Sequence, residues 1–184
     1  MATQHTQDNA SDVNNEFSEQ ISERKHVIAT HRLSREFGEN DTLVKALSDA
    51  DLKIEKGEFT AIIGPSGSGK STLLQLIGGL DKPTSGDVFL DGKNISEMSG
   101  SELSDFRRDH IGFIFQAYNL IPVLSAKENI EYIMLLQGIS AEERHHRVSK
   151  IMRAVGLEGL ENRRPAQLSG GEQQRVAVAR ALVS

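Results

Sequence analysis

The chain has 184 residues, 38% hydrophobic and 26% charged, which is enough apolar content to bury the core of one domain and too much for a compositionally disordered chain. It has no cysteine, which excludes a disulfide scaffold, a thiolate metal site and a cysteine nucleophile. The net charge of −5 argues against nucleic acid as a partner, and apolar runs such as residues 132–136 are far too short to span a bilayer.

Taken in chain order, residues 1–25 are rich in Gln, Asn, Asp, Glu and Ser, with Val13, Phe17 and Ile21 scattered among them, and carry no apolar signal core. They read as a disordered polar tail. Order is expected from His26. Residues 27–33 read as a strand, and Leu47, Ala50, Leu52 and Ile54 alternate as in a half-buried strand. After a turn at Lys56-Gly57-Glu58, residues 59–63 form a nearly all-apolar run, the pattern of a strand buried on both faces. A glycine-rich loop follows. A helix is expected over residues 71–80, with Leu73, Leu74, Ile77 and Leu80 on one stripe. Residues 87–90 with Asp91-Gly92 read as a strand and its turn, and residues 111–115 as a second buried strand. From Ser125 the spacing becomes helical over residues 125–136 and 140–155, and the pairs Ser125/Glu128 and Ser140/Glu143 have capping-box spacing. Pro165 interrupts this block, and a last helix is expected from about Gly170. His145 and His146 are adjacent, not one turn apart, so they read as a solvated helix face; Met134 and Met152 read as core.

Gly64-Pro65-Ser66-Gly67-Ser68-Gly69-Lys70-Ser71 fits G-x-x-x-x-G-K-[ST]. Such a loop brings backbone N–H groups against phosphate oxygens, at conformations closed to residues with a Cβ, and ends on a helix N-terminus. Lys70 supplies charge for the β- and γ-phosphates, and the Ser71 hydroxyl suits Mg²⁺. By composition alone the pattern arises on the order of once per hundred chains of this length. Here it also has the context it requires, a predicted strand before and a predicted helix after.

Leu168-Ser169-Gly170-Gly171-Glu172-Gln173-Gln174-Arg175 is the second strong segment. Ser169 with Glu172 makes a capping box, and two glycines leave the first helical N–H groups uncovered, again an anion site. The segment continues as LSGGEQQRVAVARAL, which resembles the signature of the ATP-binding subunits of ABC transporters. The phosphate loop, Gly112-Phe113-Ile114-Phe115-Gln116 and the helical block stand in that family's order. Leu80-Asp81-Lys82-Pro83-Thr84-Ser85-Gly86 and Asn119-Leu120-Ile121-Pro122 resemble the branch of lipoprotein-release, macrolide- or peptide-export and cell-division ATPases.

The resemblance implies an α/β fold of P-loop NTPase type over residues 26–184, with a helical subdomain inserted at 117–168. It implies ATP and Mg²⁺ as ligands and assigns the nucleotide to Gly64, Pro65, Ser66, Gly67, Ser68, Gly69, Lys70, Ser71 and Thr72. Phe37 falls where an aromatic ring stacks on adenine, in place of the branch's more usual tyrosine. Gln116 falls on a glutamine that reaches Mg²⁺ and the attacking water, with Lys70 beside it in the catalytic set and Ser71 beside it at the metal. Ser169, Gly170 and Gly171 would meet the γ-phosphate held by a second copy. The partners implied are that second ATP-binding subunit and an integral membrane permease, with the ATPase on the cytoplasmic face of the cell membrane. A soluble ATPase of DNA repair or translation, or a regulatory one of cell division, is the alternative. The family's Mg²⁺-linked Asp, catalytic Glu and switch His come after the signature helix, so the 184 residues are expected to be a C-terminally truncated piece. Such a piece would have an incomplete core sheet and no catalytic Glu.

Overall fold

Residues 26–183 are described by the structure, a computed structural model; the polar tail expected over residues 1–25 lies outside them. Strand β1 (His26–Phe37) pairs antiparallel with β2 (Val44–Glu55) on one edge and with β3 (Ser85–Leu90) on the other, and β4 (Lys93–Asn94) completes the order β2-β1-β3-β4. Alternation in the sequence placed these strands, although β1 and β2 run longer than expected and are joined through a 3₁₀ turn at Asn40–Thr42. The β3–β4 turn is the expected Asp91-Gly92, with φ of 46° and 80°, the paired left-handed conformation of a type I′ hairpin. The β1–β2 ladder slips register between Thr30 and Leu33. Thr30, 1% exposed, covers the irregularity: its Oγ1 donates to the Ala50 carbonyl and accepts from the Leu52 N–H, both at 2.9 Å.

Helix α1 (Lys70–Ile77) packs on this sheet through Leu76 and Ile77. The expected stripe is partly overturned: Leu74 is exposed on the helix, and Leu80 is exposed because the helix stops at Ile77 with Gly78 as its cap. The strand expected at residues 59–63 does not form, in keeping with the incomplete core sheet that the resemblance implies. Among the described residues nothing pairs with it, and Phe59 and Ile63 are 97% and 89% exposed. Residues 111–115 are likewise unpaired, with Ile114 and Phe115 exposed. An apolar run becomes a buried strand only when neighbours supply its backbone hydrogen bonds. The described residues form a partial sheet that offers none to these two segments.

The chain divides into two compact units, the first ending at Leu103 and the second beginning at Ser104. The boundary falls inside α2 (Gly100–His110), a helix the sequence reading passed over because it buries only Leu103 and Phe106. In the second unit α3 (Ala126–Leu136), α4 (Ala141–Ala154) and α5 (Gly170–Leu182) share one core, including Ile130, Met134, Val148, Met152 and Val176. Their N-caps are Ser125, Ser140 and Ser169, as the spacing predicts. The box is complete at Ser125 and Ser169. At Ser140 only the hydroxyl half forms, and the Glu143 carboxylate accepts from Arg147 Nε at 2.7 Å instead. Asn129 is fully buried on α3. Its Oδ1 accepts from the Ile121 N–H at 2.7 Å, and its Nδ2 donates to the Ser125 carbonyl at 2.9 Å, sewing the preceding loop to the helix.

Candidate nucleotide site

The first unit carries Phe37 and the loop of Gly64, Pro65, Ser66, Gly67, Ser68 and Gly69. Gly69 is the N-cap of α1 at φ 84°, and a Cβ there would lie 2.4 Å from the Ala46 carbonyl of β2. A Cβ on Gly64 would lie 2.8 Å from Ser68 Oγ. These two glycines let the loop close on itself and on the sheet. Lys70 opens the helix, and its Nζ donates back to the carbonyls of Gly64 (2.9 Å) and Pro65 (2.7 Å), with Ser68 Oγ at 3.4 Å. The ammonium therefore spans the loop it follows. Gly69 provides no side-chain cap, and α1 has no acidic residue in its first turn. Its first N–H groups, which no helix can satisfy internally, are left to an outside acceptor beside a fixed positive charge, as an anion site requires. Ser71 follows with its residue exposed, and Thr72 half-buried. The Ser71 hydroxyl is a hard oxygen donor at the first turn, which fits Mg²⁺. Phe37 ends β1, 41% exposed.

The second unit carries Gln116 and the signature. Gln116 is exposed at a turn, followed by Tyr118 and Asn119 at φ of 60° and 47°. Two successive left-handed residues without glycine are strained. Arg180, from the last turn of α5, holds them: Nη2 donates to the Tyr118 carbonyl at 2.9 Å and Nη1 to the Asn119 carbonyl at 2.7 Å. Burial lowers the Arg180 guanidinium from its ordinary pKa. Gly112 lies against the same helix, where a Cβ would come 2.2 Å from the Ala181 carbonyl. The structure thus joins the Gln116 turn to the signature helix, and sequence reasoning missed Arg180 as the joint. Its signal was a cation directly after the buried residues Val176, Ala177 and Ala179.

At the head of α5, Ser169 Oγ accepts from the Glu172 N–H at 3.3 Å. The Glu172 carboxylate accepts from the Ser169 N–H at 2.7 Å and from its hydroxyl at 2.8 Å. Those bonds hold the Glu172 carboxyl below the ordinary range, the backbone one most, with Arg175 and Arg163 adding to them. Gly170 and Gly171 are exposed beside it. His145 and His146 lie on the exposed face of α4.

A glycine loop ending on an uncapped helix, with the helix's first lysine folded over it, on an α/β scaffold, makes this a phosphate-loop nucleotide-binding protein. The sequence profile of the family described as ABC transporter matches residues 47–184, and the chain belongs to that family as an ATP-binding domain. It is 46% identical over 158 residues to a macrolide export ATP-binding/permease protein, MacB, of Marinobacter nauticus, covering 86% of this chain and 24% of that one. It is also 46% identical over 159 residues to a pyoverdine export ATP-binding/permease protein, PvdT, of Pseudomonas savastanoi pv. phaseolicola, with the same coverage. The chain therefore spans about a quarter of the length of the curated relatives it matches. Among solved structures it is similar to the ATP-binding cassette MJ0796, described as a dimeric post-hydrolysis state bound to ADP and Pi. The TM-score is 0.79 at 44% identity, over 85% of this chain and 69% of that one.

Proposed function

We propose that residues 26–184 are the ATP-binding element of an export-type ABC transporter, with 117–168 as its helical subdomain. The observation that carries this is the phosphate loop: Gly69 in its left-handed cap, Lys70 across the loop, and the uncapped start of α1. In this reading the loop from Gly64 to Thr72 holds the triphosphate, and Lys70 exchanges its two carbonyl partners for β- and γ-phosphate oxygens. Phe37 stacks on adenine. Ser71 would hold Mg²⁺, with Gln116 assigned to the ion by the family resemblance alone, and the ion would neutralise charge on the phosphates. Ser169, Gly170 and Gly171 present N–H groups and a hydroxyl to a triphosphate held by a second copy. They have no local use for that acceptor, because Lys70 and its loop already serve the local one. ATP hydrolysis and its coupling to a permease are proposed for the whole protein, on the ATP-binding/permease names of its relatives. No described helix is long and apolar enough to cross a membrane. The proposed location is peripheral, on the cytoplasmic face, through the permease.

Two substitutions test the two halves. Lys70→Ala is expected to weaken ATP binding on the order of a hundredfold, the scale of two charge-assisted hydrogen bonds. Ser169→Arg is expected to leave monomer nucleotide binding intact and to block ATP-driven dimerisation followed by light scattering. Unchanged ATP affinity in the first variant removes the phosphate-loop reading. Equal loss of binding and dimerisation in the second removes the role across a dimer.

A further inference from the structure

Phe37 is not a free ring at a strand end. Arg35, two residues earlier on β1, places its guanidinium carbon 4.6 Å from the ring centroid. That guanidinium is itself fixed. Its Nη2 donates to Asp81 Oδ1 at 3.1 Å, and its Nε lies 2.9 Å from Oδ2. The two side chains are only 24% and 27% exposed, unlike the solvated pairs whose contribution is small. Asp81 is held in turn: its N–H donates to the Gln75 carbonyl of α1 at 3.3 Å, and its Oδ1 also accepts from the Lys82 N–H at 2.8 Å. A continuous set of contacts therefore runs from the helix that carries Lys70, through Gln75, Asp81 and Arg35, to the ring of Phe37.

We infer that Arg35 is a positioning residue for the nucleobase. It backs Phe37 from one side as half of a stacking platform and, through Asp81, sets that platform at a fixed place relative to the phosphate loop. The inference rests on the nucleotide-site reading above. A cation against one ring face draws on the ring's negative quadrupole and immobilises it, leaving the rest of the exposed ring for an electron-rich purine. Lysine reproduces the charge without the planar guanidinium, whose Nη2 donates to one Asp81 oxygen while Nε faces the other.

The full chain is titrated with Mg·ATP and with Mg·tripolyphosphate, which carries phosphates and no base. Arg35→Met is expected to weaken ATP about three- to tenfold, the scale of one cation–π contact, and to leave tripolyphosphate unchanged. Asp81→Asn is expected to act in the same sense with a smaller effect, and Arg35→Lys to fall between Arg35→Met and the parent chain. In a Phe37→Ala background, Arg35→Met is expected to add nothing. The inference is overturned if the two ligands weaken equally, if neither weakens in both Arg35 variants, or if the ATP loss persists without Phe37. Lys70→Ala separates this from failure of the site itself. It should weaken both ligands, and if it weakens neither, the nucleotide site is wrong and not merely the role of Arg35.

Discussion

Two helix starts carry the candidate chemistry, and they are built differently. Helix α1 begins on a left-handed glycine, with no side-chain cap and no acid in its first turn. Helix α5 begins on Ser169 with a complete capping box closed by Glu172. A helix needs acceptors for its first N–H groups, and the two meet that need in different ways. At α1 the acceptor must come from outside, and Lys70 is positioned to welcome a negative one. At α5 the protein supplies part of the answer itself: Ser169 Oγ accepts from the Glu172 N–H and the Glu172 carboxylate accepts from the Ser169 N–H, while the box leaves the Gly170 and Gly171 N–H groups out. The first start has no cap of its own, and the second is partly closed by its capping box.

The sharpest way to break the comparison exchanges glycines. Gly69→Ala forces a left-handed alanine and pushes a methyl to within 2.4 Å of the Ala46 carbonyl. It is expected to lower the opening free energy of α1 by about 2 kcal/mol, read by native-state hydrogen exchange of its amides, and to weaken ATP in step. Gly170→Ala meets only the Tyr118 hydroxyl at 3.7 Å, an ordinary contact. It should leave α5 unchanged or raise its stability by up to about 1 kcal/mol. Similar losses at the two sites would show that the two helix starts do not differ in what they ask of their glycines.

The outcome of this pair also bears on what a sequence shows. Both starts were legible: the glycine spacing gave the loop, and Ser169/Glu172 gave the box, because each depends on residues within a few positions of one another. The three-helix core was legible through its spacing for the same reason. The misreadings are all non-local. Residues 59–63 and 111–115 have strand composition, yet no described strand lies beside them to pair with. Arg35 and Arg180 were invisible as joints, because their partners Asp81, Tyr118 and Asn119 lie 46 to 62 residues away. Residues 59–63 and 111–115 leave apolar side chains and backbone groups uncovered, so the purified 184 residues are expected to show a broad thermal transition by calorimetry. A sharp cooperative melt would mean that those segments find partners.

A smaller effect is expected from removing the α5 cap. Ser169→Ala deletes the hydroxyl that accepts the Glu172 N–H and donates to its carboxylate. The cost should be about 1 kcal/mol in the exchange protection of the first α5 turn, with α1 untouched. No change at α5 would mean the box adds nothing, and the contrast between the two starts would reduce to the glycines alone.

The last prediction uses the proton as a probe of the same difference. The Ser169 N–H and hydroxyl hold the Glu172 carboxyl below its ordinary value of 4.5. A carboxylate whose pKa is lowered by folding contributes its stabilisation in full above the unfolded value, and loses it as pH falls through the folded one. Protection at the head of α5 should therefore be flat from pH 8 to about 5 and decline below about 4. The head of α1, with no acid in its first turn, has no matching term of its own. Acid also discharges the Ser125/Glu128 box, so the informative reading is the difference between the parent chain and Glu172→Gln. Glutamine keeps an oxygen for the Ser169 N–H but does not titrate. The parent should lose protection relative to Glu172→Gln as pH falls, and the two should converge in slope above pH 5. Parallel curves over the whole range would show that the Glu172 charge does not hold the α5 start closed.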